Sequence, residues 1–312
     1  MEDGEVVLSY NQLMKDLDLK ILGENIEKVF LEQDKYVFEK KVTEFSVGGK
    51  FAGDIINFLM FDPSTTPPTF YEVSTPFDLI SKKAPQHALV YRDGKCIFQT
   101  DYTEYAAMRT GIMDALILSH THKASLGDKK VLLFGSGKTA TWSIKGMAAL
   151  TPEIKSVDYY TLSGRKETFE AMGKERGIEL QYTENWREVL PSYDIITCHT
   201  RTEEPFLLKG DISNIKQGAQ IHSFITSTEH GELADAFYTK EVDLVSDWPK
   251  ILGYNKILMR AVENKQIDPE KIVYLKVLFG GSYGRNEKSP YTIVQMGGTP
   301  IQNLAVMQLL TR

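Results

Sequence analysis

The residues best suited to chemistry form one loop, Gly135-Ser136-Gly137-Lys138-Thr139-Ala140, entered directly from the apolar run Val131-Leu132-Leu133-Phe134 and followed by TWSIKGMAAL. A strand that turns through two glycines into a helix is how a dinucleotide-binding unit holds a pyrophosphate. The first glycine permits the tight turn, the second lets the backbone approach the phosphates, and the helix N-terminus presents free N–H groups and the positive end of its dipole. The third glycine of the GxGxxG pattern is Ala140, a small residue that the pattern accepts. Gly135, Ser136, Gly137, Lys138 and Thr139 are therefore candidate cofactor contacts, with Lys138 either a charge on phosphate or a solvated side chain. The next strand, 157–162, ends in Ser163-Gly164-Arg165-Lys166 and carries no carboxylate at its end. An acidic residue there would bond the ribose 2′-hydroxyl of NAD, whereas hydroxyl and basic groups accommodate the 2′-phosphate of NADP. Ser163, Arg165 and Lys166 thus favour NADP, with NAD as the other choice. The alternative is that Ser163 caps the following helix and the two cations are solvated.

A second candidate is Arg109, in TEYAAMRTGIMDALILSH. It shares a helical stripe with Met113, Leu116 and Ile117 and so projects toward packed surface. A buried guanidinium needs an anionic partner. Either a substrate carboxylate, which suits its bidentate fork, or a structural salt bridge to Asp101 or Asp114 satisfies that need. The other residue types point to less. His120 and His122 lie two apart, cannot share a helix face, and read as a solvated helix end. His199 ends a strand on the side where such sheets bind ligands and His222 lies in the next strand, yet packing is the plainer reading of both. Cys96 and Cys198 form no CxxC or Cys/His cluster and read as small buried hydrophobes, with no disulfide framework and no zinc site. No GxSxG elbow or comparable signature marks a hydrolase nucleophile.

Arg109-Thr110-Gly111 on a long helix, with VLLFGSGKTATWSIKGMAAL some twenty-five residues later, resembles the ornithine cyclodeaminase/mu-crystallin family, with its RTAA helix and GxGxQAxxHxxAL loop. Later segments follow in the family's order: IITCHTRTEEP with Thr200 and Pro205, QGAQIHSFITSTEHGEL closing on Glu232-Leu233, and YGRNEKSPYTIVQMGGTPIQNLAV with Gly284, Arg285 and Gly298. The resemblance spans roughly 85–310. It implies a homodimeric NAD(P)-dependent protein in which Arg109 holds a substrate carboxylate and Thr110 and Thr200 lie near the cofactor. Departures from the family pattern are Thr139 for the loop glutamine, Asn303 for the terminal aspartate, Tyr71 for a lysine, and Lys50 for an earlier arginine. The family's catalytic aspartate has no counterpart, because Ser227-Thr228-Glu229-His230 occupies that loop. Proton-donor candidates are consequently Glu229, His230 and Tyr71, each also readable as loop polarity or a half-buried strand tyrosine.

These groups need a scaffold. From Lys130 onward short apolar strands alternate with helices, which implies a mostly parallel sheet covered on both faces. The 43–100 stretch has β texture divided by turn signals, with Asp93-Gly94 a hairpin turn. Ahead of it, Val6–Leu8 read as a short strand, Ser9 as an N-cap, and the following apolar residues through Phe30 as a helix interrupted at Gly23; 103–122 reads as one long helix. The fold expected is α/β: a Rossmann-type doubly wound parallel domain over 119–289, inserted in a smaller α+β substrate-binding and dimerisation domain of 1–118 plus 290–312. The aromatic cluster Phe58, Phe61, Phe70, Tyr71 and Phe77 reads as core or dimer interface rather than a ligand cage.

Composition limits the partners. The 312 residues are 42% hydrophobic and 25% charged, with 36 Lys+Arg against 42 Asp+Glu. A net charge of −6 provides no positive field for nucleic acid or anionic lipid. No secretory signal or spanning apolar run is evident, so a cytoplasmic protein is expected. The function expected is NAD(P)-dependent oxidation or reduction at the C–N bond of an amino acid or its (cyclic) imine, on a small-molecule substrate and without a metal. The alternatives are an ornithine cyclodeaminase-like ammonia lyase and a catalytically inactive NADP-binding, mu-crystallin-like protein.

Overall fold

The computed structural model describes residues 18–47, 50–78, 86–122, 126–200, 202, 204–224, 231–286 and 288–311. The expected strand at Val6–Leu8 and the cap at Ser9 lie outside them. The chain forms two compact units, Met1–Arg109 with Thr299–Arg312, and Thr110–Gly298, the second interrupting the first in sequence.

In the first unit, helix α1 (Leu19–Leu31) precedes five antiparallel strands in the order β1 (Val37–Val47), β2 (Lys50–Asp62), β3 (Thr69–Asp78), β4 (His87–Arg92) and β5 (Lys95–Asp101). Burial alternates along β4, with Ala88 and Val90 inward, as expected of a sheet with one covered face. The inner face, which also includes Phe58, Met60, Tyr71, Val73 and Phe98, is covered by the C-terminal helix Pro300–Leu310. That helix is apolar nearly all round and almost wholly buried, the expected fate of such a helix. It also packs on α1, where the Asn25 amide donates to the Ala305 carbonyl at 2.7 Å. The β4–β5 hairpin turns at Asp93 and Gly94, both at positive φ, as a two-residue turn with the right twist requires.

Two expectations fail here. Helix α1 runs unbroken through Gly23, which is buried: a glycine costs a helix about 1 kcal/mol, less than its packing returns. The β region also starts at Val37, six residues before Thr43, because pairing with Phe61 extends the strand to that point.

The second unit opens within α2 (Thr103–Gly111), followed by α3 (Met113–Thr121). The expected single helix of 103–122 is thus divided at Ile112. Next come β6 (Val131–Phe134), α4 (Lys138–Leu150), β7 (Ser156–Tyr160), α5 (Lys166–Glu175), β8 (Glu179–Tyr182), α6 (Trp186–Val189), β9 (Ile195–Cys198), β10 (Ala219–Ser223) and β11 (Asp243–Ser246). The remainder is α7 (Lys256–Glu263), β12 (Val273–Tyr274), α8 (Leu275–Phe279) and β13 (Tyr291–Gln295), with α9 (Pro300–Leu310) returning to the first unit. All eight strands are parallel, in the order β12-β11-β13-β10-β9-β6-β7-β8. Its last six positions, β13-β10-β9-β6-β7-β8, are the doubly wound order of a Rossmann domain, whose switch point falls between β6 and β9. The strands β6, β9, β10 and β13 are buried along their whole lengths, as a sheet covered on both faces demands. β13 belongs to the interior of this sheet, in register with β10 and β11, and not to the smaller domain that the sequence leads one to expect over 290–312. Its apolar run fits either sheet locally, and only strand pairing decides.

Candidate functional site

The glycine loop sits at the switch point. Gly135 has φ +112°, and a Cβ there would collide with the backbone carbonyl of His199, so only glycine fits the turn. Gly137 is the N-cap of α4, provides no side-chain cap, and has open space where a Cβ would stand. The first N–H groups of α4 thus face a position that backbone can approach, and Ala140 is fully buried against the sheet where the third glycine would pack. Thr110 is brought to the same region, because Gly111 packs so closely on α4 that a Cβ would stand 2.5 Å from the Thr139 carbonyl and 2.6 Å from the Ser143 nitrogen. These features fit a dinucleotide phosphate.

At the end of β7 the Ser136 hydroxyl lies 2.6 Å from that of Ser163 and 2.9 Å from that of Thr161. The Ser163 backbone N–H donates to Thr161 Oγ1 at 3.1 Å. Three hydroxyls from the two loops thus converge where a ribose 2′-substituent is read in such folds. Ser163 does not cap α5: the N-cap is Arg165, without a side-chain bond. Arg165 is exposed, whereas the Lys166 ammonium stands 3.1 Å from the centre of the Tyr182 ring. Leu162, between these hydroxyls, is 91% exposed.

Arg109 is buried, on α2 in the first unit, and its Nη1 donates to Gln302 Oε1 at 2.7 Å. Tyr71 is buried on β3 rather than half-buried, and burial raises the pKa of its phenol. Glu229 and His230 lie outside the described residues. Of the cysteines only Cys198 is buried; Cys96 is exposed, contrary to expectation. His120 and His122 are not a solvated end either. The His120 ring lies 5.0 Å from that of Phe279, and burial holds His122 down to about 4.

Two buried carboxylates were not singled out in the sequence as site groups. Thr197 and His199, two apart along β9 and its exit, share a face, and the register sets His222 of β10 beside Thr197. Asp114 of α3 meets all three. Its Oδ1 accepts from His222 Nδ1 at 2.6 Å, its Oδ2 from His199 Nε2 at 2.5 Å and Ser143 Oγ at 2.5 Å, and Thr197 Oγ1 lies 2.8 Å from both oxygens. Burial alone would raise the Asp114 pKa, but the His199 charge and the hydrogen bonds from both histidines outweigh it and hold it well below the usual carboxylate range. The partners of Asp114 are thus two histidines and two hydroxyls. The signal available was a carboxylate within the apolar run Ile112-Met113-Asp114-Ala115-Leu116, which demands buried donors.

The second carboxylate is Glu232, whose Oε1 accepts from the Thr200 N–H (2.9 Å) and hydroxyl (2.7 Å), and whose Oε2 accepts from Ser223 Oγ (2.9 Å). Burial raises its pKa to about 7 despite these bonds. The expected cofactor contact Thr200 is therefore anchored by Glu232. Among the described residues no group of three or more His, Cys, Asp or Glu side chains is arranged to hold a metal ion, and no helix is long and apolar enough to cross a membrane.

Known structures share this architecture. The Δ1-pyrroline-2-carboxylate reductase of Thermococcus litoralis, in complex with NADH and L-proline, is 21% identical; the match covers 98% of this chain and 96% of that one, with a TM-score of 0.81. The iminosuccinate reductase of Paracoccus denitrificans in complex with NAD+ is 17% identical over 98% and 94%, TM-score 0.79. An archaeal alanine dehydrogenase dimer with bound NAD is 15% identical over 98% and 94%, TM-score 0.78. At these identities the likeness concerns the fold. No curated protein matches the sequence. The model of the ornithine cyclodeaminase/mu-crystallin family matches residues 90–311, well over half of the chain, and the chain belongs to that family.

Proposed function

We propose that this chain is an NAD(P)-dependent oxidoreductase acting on the C–N bond of a small amino acid or its imine, with NADP preferred over NAD, and that it works as a homodimer. The observation that carries the reading is the uncapped α4 N-terminus behind Gly135 and Gly137, beside the Ser136–Thr161–Ser163 hydroxyl cluster. The bound nicotinamide supplies the hydride chemistry, so the protein's part is to hold, orient and manage protons. The α4 N–H groups and Ser136 hold the phosphates. Ser163 and Arg165 receive the 2′-phosphate, with Lys166 able to join them by leaving Tyr182. Arg109 anchors the substrate carboxylate, a role supported by its burial and by family membership. Pyrroline-carboxylate and iminosuccinate reductases of the same fold make an imine bearing a carboxylate the first substrate class to try.

The test is fluorescence titration with NADPH and NADH, followed by turnover with Δ1-pyrroline-2-carboxylate, related cyclic imines, and α-keto acids with ammonia or methylamine. Selective NADPH binding with oxidation by one of these compounds is expected. Ammonia release from a diamino acid without net cofactor oxidation would replace the reading with cyclodeamination, and absence of nucleotide binding would end it. Arg109→Ala is expected to weaken substrate binding at least tenfold and leave NADPH affinity nearly intact; equal loss of both counts against the anchor.

A further inference from the structure

We propose that His199 is the proton-exchanging group of the nicotinamide site and that Asp114 is the residue that positions it. The inference rests on the cofactor reading above and adds a residue which that reading does not supply.

His199 stands where β9 leaves the sheet, immediately at the switch point. Its backbone N–H donates to Phe134 at the end of β6 (2.8 Å), and its carbonyl is the group that excludes any side chain at Gly135. Ligands of open parallel sheets bind in the crevice outside this pair of strand ends. The ring is stacked on that of Phe224, with centroids 4.6 Å apart and planes 20° from parallel. One nitrogen is committed: Nε2 faces Asp114 Oδ2 at 2.5 Å. The other, Nδ1, is buried and has no hydrogen-bond partner among the described residues. A buried ring nitrogen without a partner costs stability, and a histidine with one nitrogen held by a carboxylate and the other unpartnered has the arrangement of an acid–base group.

The surroundings set its tautomer. Asp114, saturated by Ser143, Thr197 and His222, accepts the Nε2 proton, so that whenever His199 is neutral its lone pair lies on Nδ1. His222 takes the opposite tautomer, with Nδ1–H toward Asp114 and Nε2 at 2.5 Å from the Gln220 amide nitrogen. Among the described ionisable groups near this corner, Glu232 and Cys198 have pKa values raised by burial, whereas that of Asp114 is lowered. Asp114 stabilises the imidazolium when Nδ1 takes up a proton. A bound nicotinamide would supply the hydride chemistry; the part of His199 in reduction is to give the Nδ1 proton of its imidazolium form to the substrate nitrogen as the C=N bond becomes an amine, which leaves the ring neutral. In oxidation, Nδ1 removes the amine proton.

The test begins with ring-15N histidine in the full chain, observed by long-range 1H–15N spectra from pH 6 to 9 with and without saturating NADP+; His199→Gln and His222→Gln provide assignments. Expected are Nε2–H and bare Nδ1 in the neutral form of His199, the opposite tautomer in that of His222, and an NADP+-dependent shift of His199 Nδ1 larger than any at His222. His199→Gln should bind NADPH within about threefold of the parent, keep its melting profile, and lower kcat on the imine turned over by the parent by ~10²–10⁴-fold with little change in KM. The proposal is overturned if Nδ1 is the protonated nitrogen of neutral His199, if its resonance ignores NADP+ while fluorescence reports binding, or if His199→Gln retains kcat. A parent protein that binds no nicotinamide nucleotide refutes the cofactor reading itself, and the His199 role with it.

Discussion

Replacing Glu232 by Gln tests the electrostatics of the β9–β10 corner. The Glu232 side chain is fully buried, and its pKa rises from 4.5 to about 7 because burial outweighs three hydrogen bonds and the nearby His199 charge. A carboxyl whose folded value lies above its unfolded one holds a proton that the unfolded chain has released. Its contribution favours folding fully below about pH 4.5, is lost as pH rises toward 7, and is constant above that. A gap of that width is worth about 3 kcal/mol, at ~1.4 kcal/mol per pH unit. Glutamine preserves shape: its Oε1 accepts the two Thr200 donors and its amide donates to Ser223 Oγ, so few hydrogen bonds are lost. Between pH 5 and pH 8 the parent should lose about 2–3 kcal/mol relative to Glu232→Gln. For a unit of this size the relative melting temperature then moves by roughly 5–10 °C. Urea unfolding of both proteins at half-unit pH intervals measures this directly. A stability difference flat from pH 5 to 8 would falsify the claim that Glu232 carries its proton into the neutral range.

Three further outcomes follow from the same structure. Gly135→Ala forces a side chain to φ +112° and into the His199 carbonyl, so it should cost about 2–4 kcal/mol by thermal melting and remove nucleotide binding; a stable variant with normal NADPH affinity contradicts the loop geometry. Ser163→Ala with Arg165→Ala should lower NADPH affinity by about tenfold or more and leave NADH nearly unchanged, as read by paired fluorescence titrations; equal effects on both show that these groups do not read the 2′-phosphate. In the native protein a thiol reagent should modify exposed Cys96 rapidly and leave Cys198 silent, since burial both hides that thiol and raises its pKa; rapid reaction of both thiols, measured against the unfolded protein, contradicts that placement.

Much of the fold is legible because its signals are local. The run VLLF entering Gly135-Ser136-Gly137 has one low-energy continuation, since a buried parallel strand that must turn at positive φ needs glycine and then exposes a helix N-terminus. Asp93-Gly94 sets its hairpin for the same kind of reason. Gly23 misled because a glycine's cost to a helix is local while the burial that offsets it is not. The β13 run could not reveal its sheet, because a short segment centred on Ile293 and Val294 satisfies a parallel and an antiparallel neighbour equally well.

The sequence by itself determined the alternation of strands and helices, the glycine loop between β6 and α4 and the absence of an acidic residue at the end of β7, all properties of neighbouring residues and backbone sterics. Tertiary structure alone decided which polar groups meet. Asp114 stands 83 residues before Thr197, 85 before His199 and 108 before His222. Nothing in a linear reading tells a carboxylate that pairs with Arg109, five residues away, from one that closes on β9 and β10. The choice is made by strand register and helix packing, and it is enforced by the cost of leaving a buried charge without donors.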